Sequence, residues 1–410
     1  MRVVIVGGDL PYPASSGNRV RTLNLTLRLA RRHRVTYVYH GGAGREDARE
    51  AVDYLNGHGV ETFAVDHAVA PKSGPRFYAR LAANLASPLP YSVASHTSGS
   101  VRRGLLGYAA GHEVDLWQAE GAHFFEAMRA LPGARRVLMA HNVESLIWQR
   151  YHETETDPLR RWYIGRQWAK FERFERRAFA EADRVVAVSA EDAALVRGRF
   201  GADRVDVVDN GIDRAYFEGV VPAGDPHKIL FLGSFEWRPN LDAVGLLLDR
   251  IFPEVRAAEP DARLCLVGRN PPAALARRVA GSPGVELHAS VADVRPYLAG
   301  CGVMAVPLRI GGGSRLKILE ALACGLPVVS TRVGAEGLRL TPGEDVAIAD
   351  TPEEMARTLV ESVRAPGRFR AMADRARRLV LERYDWDVLA GDLERVWEKC
   401  LVDRREGVAS

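Results

Sequence analysis

The chain has 410 residues, 47% of them hydrophobic and 26% charged, a balance that excludes disordered and fibrous classes and predicts two or three globular domains. No apolar run approaches the about 20 residues of a membrane-spanning helix, and the first one, Val3 to Val6, is too short for a signal-peptide core. The net charge of +4 is uneven, because residues 1–150 hold 18 Lys/Arg against 12 Asp/Glu, or +6, leaving −2 for the rest.

Elements follow in order from the N-terminus. "RVVIVGG" is a continuous apolar run, suited to a strand covered on both faces of a parallel sheet. A helix follows, with Val20, Leu23 and Leu27 at helical spacing, and it ends in "RLARRHR", Arg28 to Arg34, the densest cationic cluster. Cations there suit a helix C-terminus. The second reading is a surface drawn to anionic lipid or an acidic acceptor, that is, peripheral membrane contact. No aromatic-interleaved basic module accompanies the cluster, so nucleic acid is not an expected partner.

"RVTYVYHGG", a helix through "DAREAVDYLNGHG" and the strand "VETFAVD" complete a βαβαβ rhythm, which predicts a doubly wound α/β domain. The rhythm continues through "EVDLWQAEG", "ARRVLMAHN" and "ADRVVAVSA", with a long polar helix from Leu159 to Glu181 between the last two. The aromatic series Trp148, Tyr151, Trp162, Tyr163 and Trp168 reads as packing of a long helix or as an acceptor groove. "VDVVDNGIDRAYFEGVVPAGDPHK" then breaks the rhythm with linker composition. Strand–helix alternation restarts at "KILFLGSF", with a helix to Ala258. The domains expected are 1–208, a hinge over 209–228, a second domain over 229–382, and a helix over 383–410 crossing back to the first. "DWD", Asp385 to Asp387, opens that last helix and reads as a cap.

The four cysteines, Cys265, Cys301, Cys324 and Cys400, include no CxxC pair, so neither a zinc framework nor a disulfide scaffold is indicated. A reducing cytoplasm is the expected location. Walker and GxGxxG spacings are absent.

The most informative stretch is "VPLRIGGGSRLKILEALACGLPVVST", Val306 to Thr331. It reads as a strand, a glycine-rich loop, and a short helix from about Arg315 to Cys324 with Ser314 as N-cap and Gly325 beyond its end. Such a loop falls at the carboxyl edge of a parallel sheet, where ligands of these folds bind. Glycines admit close approach, helix amides favour an anion, and Arg315 and Lys317 add charge. Glu320, three residues after Lys317, lies on the same helix face and can accept hydrogen bonds from a ribose diol. A surface Lys317–Glu320 pair is the alternative.

These marks resemble, in order along nearly the whole chain, the GT-B glycosyltransferases of family 4. The matching segments are "VVIVGGDLPYPASSGNRVRTLNL", "LMAHNVE", "ADRVVAVSAEDAALV", "VDVVDNGID", "ILFLGSFEWRPNLDAV", "LVGRNP", "GGGSRLKILEALACGLPVVST" and "VGAEGL". The resemblance implies two Rossmann-like domains facing a central cleft and retaining transfer from a nucleotide-diphosphate sugar to a glycan, lipid-linked or small-molecule hydroxyl. It implies no metal or other cofactor. Glu320 resembles the ribose-binding second Glu of the family's E-x7-E motif. Gly313, Ser314, Leu316 and Lys317 resemble its pyrophosphate cradle, and Gly233 and Ser234 its first loop of the donor domain. Gly17, with Asn18 beside it, resembles the first-domain loop that approaches donor and acceptor. His141 resembles the active-site histidine. Asn142 and Glu144 follow it at the same rim and read either as acceptor contacts or as helix caps.

Two departures stand out. Gly312 occupies the place of the first Glu of E-x7-E, and "GSFEWRPN" puts Ser234 and Pro239-Asn240 where many members carry Arg and Lys-Gly. The phosphate-neutralising charge is therefore expected on Arg315 and Lys317, with Arg238 nearby. Open alternatives are a nucleotide-sugar 2-epimerase of the same fold and a non-catalytic nucleotide-sugar-binding protein.

Overall fold

The apolar run at the N-terminus forms β1 (Arg2–Val6), and Val3 to Val6 are almost wholly buried, as a central strand covered on both faces requires. The computed structural model describes residues 1–14, 16–42, 48–310 and 315–407. The chain folds as two units, one comprising Met1–Asn210 and the chain from Trp386 onward, the other Gly211–Gly311 and Arg315–Asp385.

In the first unit β1 is joined by β2 (Arg34–His40), β3 (Val60–Val65), β4 (Leu116–Glu120), β5 (Arg136–Ala140), β6 (Arg184–Ala187) and β7 (Val205–Val207). All pairs are parallel, in the order β3-β2-β1-β4-β5-β6-β7. The order reverses between β1 and β4. Loops leaving these two strands diverge, and a crevice opens at their carboxyl ends.

The helix Gly17–Ala30 buries Arg21 completely. Its guanidinium donates to the carbonyls of Val208, at 2.8 Å, and Asp209, at 2.5 Å, and to Asn210 Oδ1 at 3.1 Å. Arg21 thereby fastens the segment beyond β7, in the stretch read as a linker. The final helix, Trp386–Gly407, packs along Gly17–Ala30 and engages the cationic cluster. Arg28 Nε lies 3.0 Å from Asp387, while Arg32 and His33 reach Glu394 at 2.7 and 2.6 Å. The first Asp of "DWD" thus precedes this helix, and the second is an ion-pair partner of Arg28.

The second unit holds β8 (Asp225–Leu232), β9 (Arg263–Gly268), β10 (Val285–Ala289), β11 (Cys301–Val306), β12 (Val328–Ser330) and β13 (Ala347–Ile348). These are again all parallel, in the order β10-β9-β8-β11-β12-β13, with the reversal between β8 and β11. The helix expected to end at Ala258 does so, running from Arg238 through a wider-wound stretch, Leu247–Ile251, into Phe252–Ala258. Pro253, which lacks an amide hydrogen, removes one bond of the regular ladder there. The helix after the glycine-rich loop spans Leu316–Ala323, and Gly325 beyond it sits at φ 72°, a conformation that glycine adopts without a Cβ penalty. The Ser314 cap and the Gly313 cradle lie outside the described residues.

Candidate functional site

In each unit the chemistry-bearing side chains gather where the strand order reverses. In the first unit a cavity of about 250 Å³ opens at the ends of β1 and β4. Asn18, His141, Asn142 and Glu144 all line it, so the start of the first helix meets the turn after β5 there. Gly17 is the first residue of its helix, and its neighbours Ser16 and Asn18 form part of the cavity wall.

His141 directly follows β5, and its Nε2 lies 2.9 Å from Glu120 Oε2 at the end of β4. The same oxygen accepts the Thr22 hydroxyl at 2.6 Å, and Oε1 accepts the Gln118 amide at 2.6 Å. Burial alone would push the Glu120 carboxyl up. Hydrogen bonds from His141, Thr22 and Gln118 outweigh that and hold it below the ordinary range, as an anion.

The next turn is fixed from the long helix Pro158–Glu181, which begins one residue earlier than the pattern indicated. Glu175 accepts the backbone amides of Glu144 and Ser145 at 2.6 and 3.0 Å. Those amides open the helix Glu144–Thr154, so a side chain from a neighbouring helix caps it. Burial pushes Glu175 up to about 8, against the hydrogen bonding of Ser145 and with help from the charge of Glu144. Of the aromatic series, Trp148 stacks near Phe171 with ring centres 5.8 Å apart, a packing role, while Trp162 is exposed.

His96 and His123 also line the cavity, with ring centres 5.6 Å apart. Burial, followed by the charge of Lys72, pushes His96 down to about 4. Burial, then His96 and His141, pushes His123 down to about 3. Both rings are neutral at pH 7 and offer hydrogen-bonding nitrogens without charge. Sequence reasoning missed both, together with Glu120, Thr22 and Gln118. The signal for two of them was present in "EGAH", an acid and a histidine astride a strand–helix junction.

In the second unit Gly233 and Ser234 follow β8. A side chain at 233 would come within 2.7 Å of the Asn240 amide, and one at Gly268 within 1.8 Å of the Gly233 carbonyl, so the two glycines permit this loop. Asn240 donates to the Ser234 carbonyl at 2.8 Å and accepts from Lys317 Nζ at 2.7 Å. The ammonium also lies 4.8 Å from the centre of the Phe231 ring. Arg238 is the first residue of the helix that carries Asn240.

Burial pushes Lys317 down to about 7; Arg315 adds to that and Glu320 opposes it. Burial pushes Glu320 up to about 7, with Lys317 opposing. Leu316 is buried beneath them. Arg315 is directed elsewhere than expected: its guanidinium donates to the Val333 carbonyl at 2.8 Å and lies 3.3 Å from the Glu336 carboxylate. Asn270 and Ser290, just beyond β9 and β10, both hold φ 52°. Non-glycine residues in this conformation are uncommon and concentrate at functional rims.

Among the described residues one set of metal-type ligands converges, Cys265, Glu286 and His288, with ligand atoms within 4.8 Å of one another. It lies along β9 and β10, short of the carboxyl-edge loops. No helix among the described residues is long and apolar enough to cross a membrane.

Two doubly wound parallel sheets, each with a polar site at its reversal point, make up the GT-B architecture. The chain belongs to the group 1 glycosyltransferases: residues 226–364 match the family "Glycosyl transferases group 1", and residues 16–216 match "Glycosyltransferase Family 4". It is 30% identical over 260 residues to D-inositol 3-phosphate glycosyltransferase of Rhodococcus jostii (strain RHA1). That match spans little more than half of each protein, 57% of this chain and 56% of the relative. Among solved structures, sucrose-phosphate synthase from Thermosynechococcus elongatus superposes with a TM-score of 0.72 at 17% identity, covering 100% of both chains. HepE of Anabaena, crystallised with UDP and glucose, superposes with a TM-score of 0.67 at 13% identity, covering 97% of this chain and 100% of its own.

Proposed function

We propose that the protein transfers a sugar, with retention, from a nucleotide-diphosphate sugar to a hydroxyl of a glycan, a lipid-linked sugar or a small molecule. The donor nucleotide binds at the carboxyl edge of the second sheet, and the acceptor at the cavity of the first. The observation that carries this reading is the cluster of Lys317, Asn240 and Gly233, with Glu320 one helical turn from Lys317. A lysine held near neutrality by burial gains its charge when an anion arrives. Glu320 beside it accepts hydrogen bonds from a diol, and the amides opening the helix Leu316–Ala323 add donors for phosphate oxygens. The UDP held by HepE, which shares the fold, supports the choice of ligand.

In the reaction the acceptor oxygen bonds to the anomeric carbon as the bond from that carbon to the phosphate oxygen breaks. The acceptor's proton passes to the departing diphosphate. Lys317 and the helix amides stabilise the charge that grows on the leaving group. Arg315, fixed to Val333 and Glu336, contributes its field. His141 holds a hydroxyl of the reacting sugar and is not required as a base.

Calorimetric titration with UDP, GDP, ADP and dTDP, and with their hexose conjugates, tests this. One nucleotide binds, and Glu320→Ala weakens it about tenfold, or about 1.4 kcal/mol, through loss of the diol contact. Folded protein that binds none of the four overturns the reading.

A further inference from the structure

Behind His141 lies a chain of four buried polar side chains that begins on the last helix of the molecule. Trp397, in Trp386–Gly407, donates its indole N–H to Gln118 Oε1 at 2.8 Å, and Gln118 donates its amide to Glu120 Oε1 at 2.6 Å. Glu120 then receives Thr22 at 2.6 Å and His141 at 2.9 Å on its other oxygen. Trp397, Gln118, Glu120, His141 and Thr22 are each at most 8% exposed.

The chemistry of the groups leaves this chain a single direction. An indole can only donate, and an ionised carboxylate can only accept. Gln118 sits between them, so its carbonyl must face Trp397 and its amide must face Glu120. The reversed amide would set two donors against each other at one end and two acceptors at the other, a cost of about 1–3 kcal/mol for each buried group left unpaired. With Gln118 so fixed, Glu120 is an acceptor for whatever approaches. The His141 nitrogen facing it must bring the proton, which makes that imidazole the Nε2–H tautomer. Its Nδ1 is then a bare lone pair, and that atom is buried with no partner among the described residues.

We infer that Glu120 is a positioning residue that fixes the tautomer of His141, and that Trp397, through Gln118, fixes Glu120. The consequence is specific. His141 meets its ligand as a hydrogen-bond acceptor at Nδ1, and the group it takes is a hydroxyl that donates, as a sugar hydroxyl does. That last step rests on the proposed function; the tautomer and its cause do not.

The test is nitrogen NMR of protein labelled in its histidine side chains, with His141 assigned by comparison with His141→Gln. It is read at about pH 9, well above the ordinary imidazole value of about 6.5. The expected result is a single Nε2–H tautomer for His141 in the wild type. In Glu120→Gln both tautomers are expected, because a primary amide can turn either a donor or an acceptor toward the ring. Trp397→Phe, which keeps the aromatic volume but loses the N–H, is expected to mix the tautomers to a smaller extent. Nucleotide affinity should stay within about twofold in both variants, while the transfer rate falls by about tenfold to a hundredfold.

A wild-type His141 in the Nδ1–H form, or an unbiased mixture, overturns the inference. So does a Glu120→Gln protein whose tautomer and rate are unchanged. If that variant does not fold, the wild-type spectrum and Trp397→Phe still decide. A wild type with the expected tautomer that binds no nucleotide would sink the proposed function and leave the relay intact.

Discussion

Lys317 Nζ donates to Asn240 Oδ1 across 2.7 Å, and the two residues come from the helices that follow adjacent strands at the reversal of the second sheet. A neutral amide oxygen orients the ammonium without neutralising it, so the charge remains available to an anion. Burial holds Lys317 down at about 7, and a bound diphosphate restores the charged form. Above about pH 7 nucleotide binding should therefore take up a proton. Calorimetry at about pH 8 in buffers of different ionisation enthalpy will show it as a buffer-dependent heat, which Lys317→Met abolishes along with about tenfold of affinity. Heats independent of buffer would mean that Lys317 does not face the phosphates.

Arg21 offers a test of stability within the first unit. Its guanidinium is the donor to two backbone carbonyls and one amide oxygen at the end of that unit. Arg21→Met keeps most of the apolar stem and leaves these acceptors buried without their donor. The expected loss is about 3 kcal/mol or more, read from urea unfolding followed by tryptophan fluorescence. A change below about 0.5 kcal/mol would show that water replaces the guanidinium there.

Glu175 makes the first unit's stability depend on pH. Its folded value, about 8, lies above the ordinary carboxylate value because of burial. A raised acid binds its proton more tightly in the folded state. The stabilisation is therefore complete below about pH 4.5 and is lost as pH rises toward 8. Glu175→Gln removes this dependence and also one of the two acceptors at the helix Glu144–Thr154. Its unfolding midpoint should thus be lower overall but flatter between about pH 5 and pH 8 than that of the wild type. An equally steep profile in the variant would place the titration on another group.

Much of the second-unit site was legible in the sequence, because its residues are neighbours in the chain. Lys317 and Glu320 share one short helix, and the strand, loop and helix that present them follow one another. Arg315 shows the limit of that reading. It sits one residue before the helix, and rotation about the axis turns it toward Val333 and Glu336 instead of toward Lys317's partners. Asn240 was placed by analogy of position, but its link to Lys317 spans 77 residues and has no local signature.

The first-unit site was less legible for the same reason. His141, Asn142 and Glu144 are consecutive enough to be recognised, while Glu120 and Thr22 reach them only because β4 and the helix Gly17–Ala30 flank one crevice. His96 carries no pattern at all in the sequence. The cationic run Arg28 to Arg34 was seen, but its partners Asp387 and Glu394 lie more than 350 residues away, so its pairing could not be read locally.

The bond from Trp397 to Gln118 spans 279 positions, and this sets an order for assembly during synthesis. The residues that supply β8 to β13 leave the ribosome as one uninterrupted stretch, and that unit can complete its core while translation continues. The first unit, although begun earlier, must wait with an uncovered helix face until the last helix emerges. The part of the protein made first is thus the part finished last, and a ribosome that stops short of Trp397 releases a chain whose first unit is incomplete.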